Sequence, residues 1–70
     1  MKVQYYAITK YGTTKAAPFA LVRLNNGVFE EYRGGDWVES DRYDGILIGD
    51  FSDYDVISAE EAESIQKQMQ

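Results

Sequence analysis

Asn25-Asn26-Gly27 stands between two apolar runs, residues 19–24 (FALVRL) and Val28–Arg33 (VFEEYR), and constrains this chain more than any other feature. An Asn-Gly pair between apolar runs is the strongest short-range signal for a two-residue β-hairpin loop. Both loop residues must take positive φ, which asparagine tolerates and glycine adopts freely. With Asn26-Gly27 as the loop the register follows: Leu24 faces Phe29, Arg23 faces Glu30 and Leu21 faces Tyr32. The Arg23–Glu30 pair supports it, since opposite charges across two strands contribute roughly 0.2–1 kcal/mol on an exposed face.

The remaining elements are read outward from this hairpin. Residues 3–9 (VQYYAIT) are β-branched and aromatic and predict a first strand. Residues 10–18 (KYGTTKAAP) lack periodicity and read as an exposed connection. Gly34-Gly35-Asp36 ends the third strand, and Trp37, the largest hydrophobe, is expected at the centre of the core. Residues 40–49 fit a short helix capped by Ser40 and stopped by Gly49. Gly45 interrupts that pattern, and Ile46-Leu47-Ile48 between two glycines equally fits a short buried strand. Residues 50–55 (DFSDYD) read as an acidic linker. Ser58 with Glu61 forms a capping box, and Ile57 with Ala62 the hydrophobic staple around it. A C-terminal helix is predicted over residues 59–68, with Ala59, Ala62, Ile65 and Met69 as its apolar stripe. The expected fold is α+β: a small three- to four-stranded antiparallel meander packed by a C-terminal helix, one domain over residues 1–70.

Seventy residues without cysteine or histidine must be held by packing alone. No disulfide or thiolate metal site can form, and the usual imidazole ligand and general base are missing. A chain this short buries only about 60% of its unfolded surface, so a second copy is one way to gain further burial. No stretch approaches the ~18 apolar residues of a membrane span. The first residues, MKVQYY, lack the apolar middle of a signal peptide, so cytoplasmic residence is the expectation.

The net charge of −5 hides an asymmetry. Residues 1–29 carry Lys2, Lys10, Lys15 and Arg23 and no acid, whereas residues 30–70 carry all 12 acids against three bases. A basic half can serve an anionic partner; the plainer reading is that the two halves attract each other across the fold.

Catalytic chemistry finds little footing. Without Cys or His there is no Cys–His or Ser–His nucleophile pair, and Gly34-Gly35 is not followed by the lysine of a phosphate loop. Carboxylate pairs are plentiful, but a glycosidase needs a cleft between them that a chain this short rarely builds. Counting an EF-hand from Asp50 puts Tyr54 and Asp55 where an acid and a glycine belong, so a solvated linker fits better than a calcium loop. No enzyme activity, cofactor or metal is expected.

The aromatics give the nearest approach to a binding signal. Tyr5, Tyr6 and Tyr11 share the basic half, as single-strand nucleic-acid platforms do. Tyr5 and Tyr6 are adjacent on a strand and point to opposite faces, however, and the net negative charge repels a polyanion. The sheet is apolar on both sides: the hairpin carries Phe19, Leu21 and Tyr32 on one face and Ala20, Val22, Leu24 and Phe29 on the other, and the first strand repeats this with Val3, Tyr5 and Ala7 on one side and Tyr6 and Ile8 on the other. Either Trp37, the middle segment and the C-terminal helix cover both faces, or one face is left for a partner. The expectation is a non-catalytic protein-interaction module acting through Tyr5, Tyr6, Phe19, Leu21 and Tyr32, with a protein partner that is another chain or a second copy. The alternatives are an acidic inhibitor or nucleic-acid mimic using residues 36–63, and a weak nucleic-acid binder using the basic half.

The order Ala-Leu-Val-Arg, turn, Phe-Glu-Glu-Tyr, Gly-Gly-Asp-Trp-Val, then Ile-Ser-Ala-Glu-Glu-Ala resembles short uncharacterised proteins of actinobacteria and their phages, over most of residues 19–65. The shared motifs are a turn, a tryptophan and a helix cap. The resemblance implies a small bacterial or phage accessory protein and brings no catalytic or binding residue with it.

Overall fold

The computed structural model describes residues 3–49 and 52–69. Strands β1 (Val3–Ile8), β2 (Ala20–Asn25), β3 (Val28–Arg33) and β4 (Asp36–Glu39) form an antiparallel meander. A short helix, α1 (Gly45–Ile48), precedes β5 (Tyr54–Ile57), which pairs antiparallel with β1. Helix α2 (Ala59–Met69) closes the chain. The strand order is β4-β3-β2-β1-β5. The fold is α+β, and the sheet has five strands rather than three to four.

Two tight turns set the register of the meander. Asn26 and Gly27 both have positive φ, 53° and 81°, and the ladder pairs Arg23 with Glu30 and Leu24 with Phe29. The Arg23 Nε–Glu30 Oε1 distance is 2.6 Å. Gly34 and Gly35 repeat the device at φ 55° and 93°, so this dipeptide turns the chain directly into β4, with Arg33 opposite Asp36 and Tyr32 opposite Trp37. A Gly-Gly pair makes such a loop because neither residue has a Cβ to oppose positive φ.

The topology dictates how the two faces are covered. After β4 the chain stands at one edge of the sheet and must reach the other, about 19 Å away at the usual strand spacing. Residues 40–49, the described part of that crossing, lie over one face. There Tyr43 and Ile46 bury themselves against Tyr6, Ile8, Ala20, Val22 and Phe29, with Leu24 and Tyr54 alongside. Helix α2 returns over the opposite face, where Ala62 and Ile65 pack with Ala7, Leu21, Tyr32 and Ile57. Ile8, Leu21 and Val22 are the largest side chains with no meaningful exposure.

Three expectations are corrected. Tyr54 and Asp55, expected at the end of an acidic linker, open a strand that runs to Ile57, because β1 offers an unpaired edge that outweighs the poor strand propensity of aspartate. The helix within residues 40–49 spans four residues from Gly45 and ends at Gly49 with φ 80°. Ser40 opens the preceding turn instead of capping that helix, its hydroxyl accepting from the Arg42 N–H. The apolar stripe of α2 narrows to Ala62 and Ile65, with Ala59 and Met69 exposed.

The capping box is formed. The Glu61 N–H donates to Ser58 Oγ at 3.1 Å, and the Ser58 N–H donates to Glu61 Oε1 at 3.0 Å. Lys15 Nζ lies 3.0 Å from the second carboxylate oxygen. The backbone N–H of Ser58, then Lys15, holds the Glu61 carboxyl below its ordinary value. A depressed carboxylate adds stability that is present above its unfolded pKa and lost as pH falls through the folded one. Glu61→Gln should therefore lower the melting temperature at neutral pH, and the gap to the parent should close below the ordinary glutamate range. A gap of equal size at every pH would remove the charge from the account. Ser58→Ala, which deletes the cap acceptor, should cost about 1 kcal/mol.

Candidate protein-binding surface

Helix α2 is too short to cover the face it lies on. It packs against β1 and β2, which leaves the β3–β4 end of that face to side chains standing on the sheet. Alternation along the strands puts Glu30 and Trp37 there, on the same face as Arg23 of β2 and Tyr5 of β1. The Trp37 ring meets Tyr32 at 5.2 Å and Tyr5 at 6.1 Å between centroids. The Arg23 guanidinium carbon lies 4.3 Å from the Trp37 ring centroid, within cation–π range. Glu30 fixes Arg23 from the side, and the Asn25 amide donates to the same carboxylate oxygen at 3.5 Å. Tyr5, Arg23, Glu30 and Trp37 are each half-buried. The result is a rigid, partly exposed platform of tryptophan, tyrosine and arginine.

The five residues expected to carry binding fall into different places. Tyr5 belongs to this platform. Leu21 and Tyr32 lie on the same face, but at 0% and 5% exposure they support it from within the core. Tyr6, 7% exposed, faces the opposite side against Phe29 and Tyr54. Phe19 is half-exposed at the other end of β2, edge-on to Tyr11 at 5.2 Å. Trp37 is half-buried on β4, not at the centre of the core. Trp37 and Arg23 are the platform residues that sequence reasoning missed. Reading Gly34-Gly35 as a hairpin loop would have placed Trp37 opposite Tyr32, on the face that carries Arg23.

A second polar cluster lies on the other face. Glu31, 8% exposed, has Oε1 at 3.4 Å from Arg33 Nη2. A cleft of about 460 Å³ beside it is lined by Arg33, Val38, Glu39, Ser40, Asp41 and Arg42. Burial, then the charge of Glu31, pushes the Tyr43 hydroxyl up, with Arg42 opposing. Burial also raises Tyr6. Both phenols are thus protonated at neutral pH, and neither moves toward the range where a general base works.

Basic residues of the first half are engaged by acids of the second: Arg23 by Glu30, Lys15 by Glu61. The charge asymmetry is spent across the fold at these two positions. Among the described residues no group of three or more His, Cys, Asp or Glu is placed to hold a metal, and no helix is long and apolar enough to cross a membrane. Asp50, the first position of the EF-hand count, lies outside the described residues. Compared with known protein families, curated proteins and solved structures, the chain matches none.

Proposed function

We propose that the chain is a non-catalytic protein-binding domain that engages its partner through the platform of Tyr5, Arg23 and Trp37. The observation that carries this reading is Trp37 itself: the single tryptophan, left half-exposed on a rigid strand with an arginine across its face. Tryptophan, tyrosine and arginine are the residues that dominate the energetics of protein interfaces. Clustered on a preformed surface, they lose little entropy on binding. The buried neighbours Tyr32 and Leu21 hold the platform in place.

The test is a photo-crosslinking amino acid placed at Tyr5 in the intact chain, in the source cell, with Val56 on the opposite face as the control site. Adducts specific to position 5 that disappear on adding Arg23→Ala are expected. The same adducts from both positions, or adducts indifferent to Arg23, would overturn the assignment of this surface.

A further inference from the structure

We propose that the free edge of β4 pairs antiparallel with the same edge of a second copy, about a two-fold axis at Val38, to make one continuous sheet. The sheet has two edges, β4 and β5, and an unpaired edge is a template for another strand. The two differ in what self-pairing would bring together.

At β5, the Thr9 N–H donates to the Asp53 carbonyl at 2.8 Å. Alternation along the ladder then turns the backbone groups of Tyr54 and Val56 outward. Self-pairing about Tyr54 sets Asp53 against the second copy's Asp55, and pairing about Asp55 sets that residue against itself. Only pairing about Val56 escapes, and it runs into Ser58 and the start of α2. The β5 edge is protected by its own charges.

At β4, the Ser40 N–H donates to the Phe29 carbonyl at 2.9 Å. The same alternation gives Glu31–Val38 and Arg33–Asp36 the inward bonds, so the backbone groups of Trp37 and Glu39 point away from the sheet. Pairing about Glu39 is excluded by the two carboxylates it would oppose, and pairing about Trp37 would press Asp36 against valine. Pairing about Val38 has neither fault. Trp37 exchanges backbone bonds with the second copy's Glu39, and Asp36 stands opposite its Ser40. Val38, 46% exposed in the single chain, covers its own counterpart.

The charges are complementary in that register. The second copy's Glu39 arrives beside Trp37, over which Arg23 lies. Asp36 arrives at the end of the second copy's cleft, the one that Arg42 lines. Closed two-fold pairs are the commonest assemblies of identical chains, and a core this small gains from the added burial. Both platforms end on the same face of the joined sheet.

The chain has no cysteine, so single cysteines report the register directly. Facing residues of a non-hydrogen-bonded pair lie about 4.5 Å apart at Cα, within disulfide range. Under mild oxidation Val38→Cys should give a covalent dimer, and Val56→Cys and Trp37→Cys should not. Light scattering on the parent chain should show twice the chain mass at high concentration, and Val38→Lys should halve it with the circular dichroism unchanged. A parent chain that stays at single mass to millimolar concentration would overturn the proposal. So would Val38→Cys crosslinking no faster than Val56→Cys, and faster crosslinking at position 37 would overturn the register.

Discussion

Leu21→Ala should leave this protein close to unfolding at room temperature. Leu21 is fully buried on β2, opposite Ala7, and packs with Tyr32, Ile57, Ala62 and Ile65. It thus joins the central strands to β5 and α2 at one point. Removing buried leucine atoms costs about 2–5 kcal/mol, and the higher part of that range applies where neighbours cannot collapse into the gap. Here the neighbours are strand residues held by ladder bonds on both sides. A chain of this length has only about 4–10 kcal/mol in total. At about 4–8 °C per kcal/mol for a small domain, the melting temperature should fall by more than about 10 °C. Urea unfolding followed by Trp37 fluorescence should show a lower midpoint at an unchanged slope. Val56→Ala, at an exposed position of β5, should stay within about 0.5 kcal/mol of the parent. If Leu21→Ala melted alongside Val56→Ala, the packing of α2 and β5 on this face would be wrong.

What the sequence disclosed and what it withheld divide along one physical line. Asn26-Gly27 and the Ser58–Glu61 box are local devices whose partners lie within three residues, and both are formed with the expected register and bonds. The shared faces of β2 and β3 follow from the same turn, so the two sides of the hairpin were legible before any packing was known. Strand β5 was not, because its identity depends on β1, with Tyr5 paired to Ile57 across the whole chain. Taken alone, Asp53, Asp55 and Ser52 look like solvent-exposed loop. Gly34-Gly35 ends β3 in the sequence, and only its closing as a hairpin loop, with Tyr32 opposite Trp37, fixes where Trp37 goes.

The platform was half legible for a related reason. Which side chains of one strand share a face follows from alternation, and that separates Tyr5 from Tyr6 and groups Leu21 with Tyr32; that Tyr5 joins Leu21 follows only from the pairing of β1 with β2. Which of them remain accessible depends on where an 11-residue helix stops, and no pattern in β1 or β3 encodes that. Leu21 and Tyr32 fall under or beside the helix and are buried; Tyr5 and Trp37 fall beyond it. Tyr6 was assigned to binding although its own alternation sends it to the other face, where the crossing segment covers it.

Tyr43→Ala should be nearly as damaging as Leu21→Ala, from the opposite side of the sheet. Tyr43 is 2% exposed and, with Ile46, closes the face formed by Tyr6, Ile8, Val22 and Phe29. Losing a buried aromatic ring costs about 3–5 kcal/mol, and water would then reach the sheet beneath the crossing segment. Tyr43→Phe keeps the ring and should melt much closer to the parent. The two variants should also separate in alkali. Burial, then the Glu31 charge, holds the Tyr43 pKa above its ordinary value, and Tyr6 is raised too. For an acid whose folded pKa is raised, the stabilising contribution is full below the unfolded pKa and disappears as pH rises through the folded one. The parent should therefore lose stability above the ordinary tyrosine range, with tyrosinate absorbance rising as the fold melts. Tyr43→Phe removes one of the two phenols whose pKa is raised, so its alkaline midpoint should move to higher pH. An unchanged midpoint, or a Tyr43→Ala chain as stable as the parent, would mean that Tyr43 and Ile46 do not seal this face.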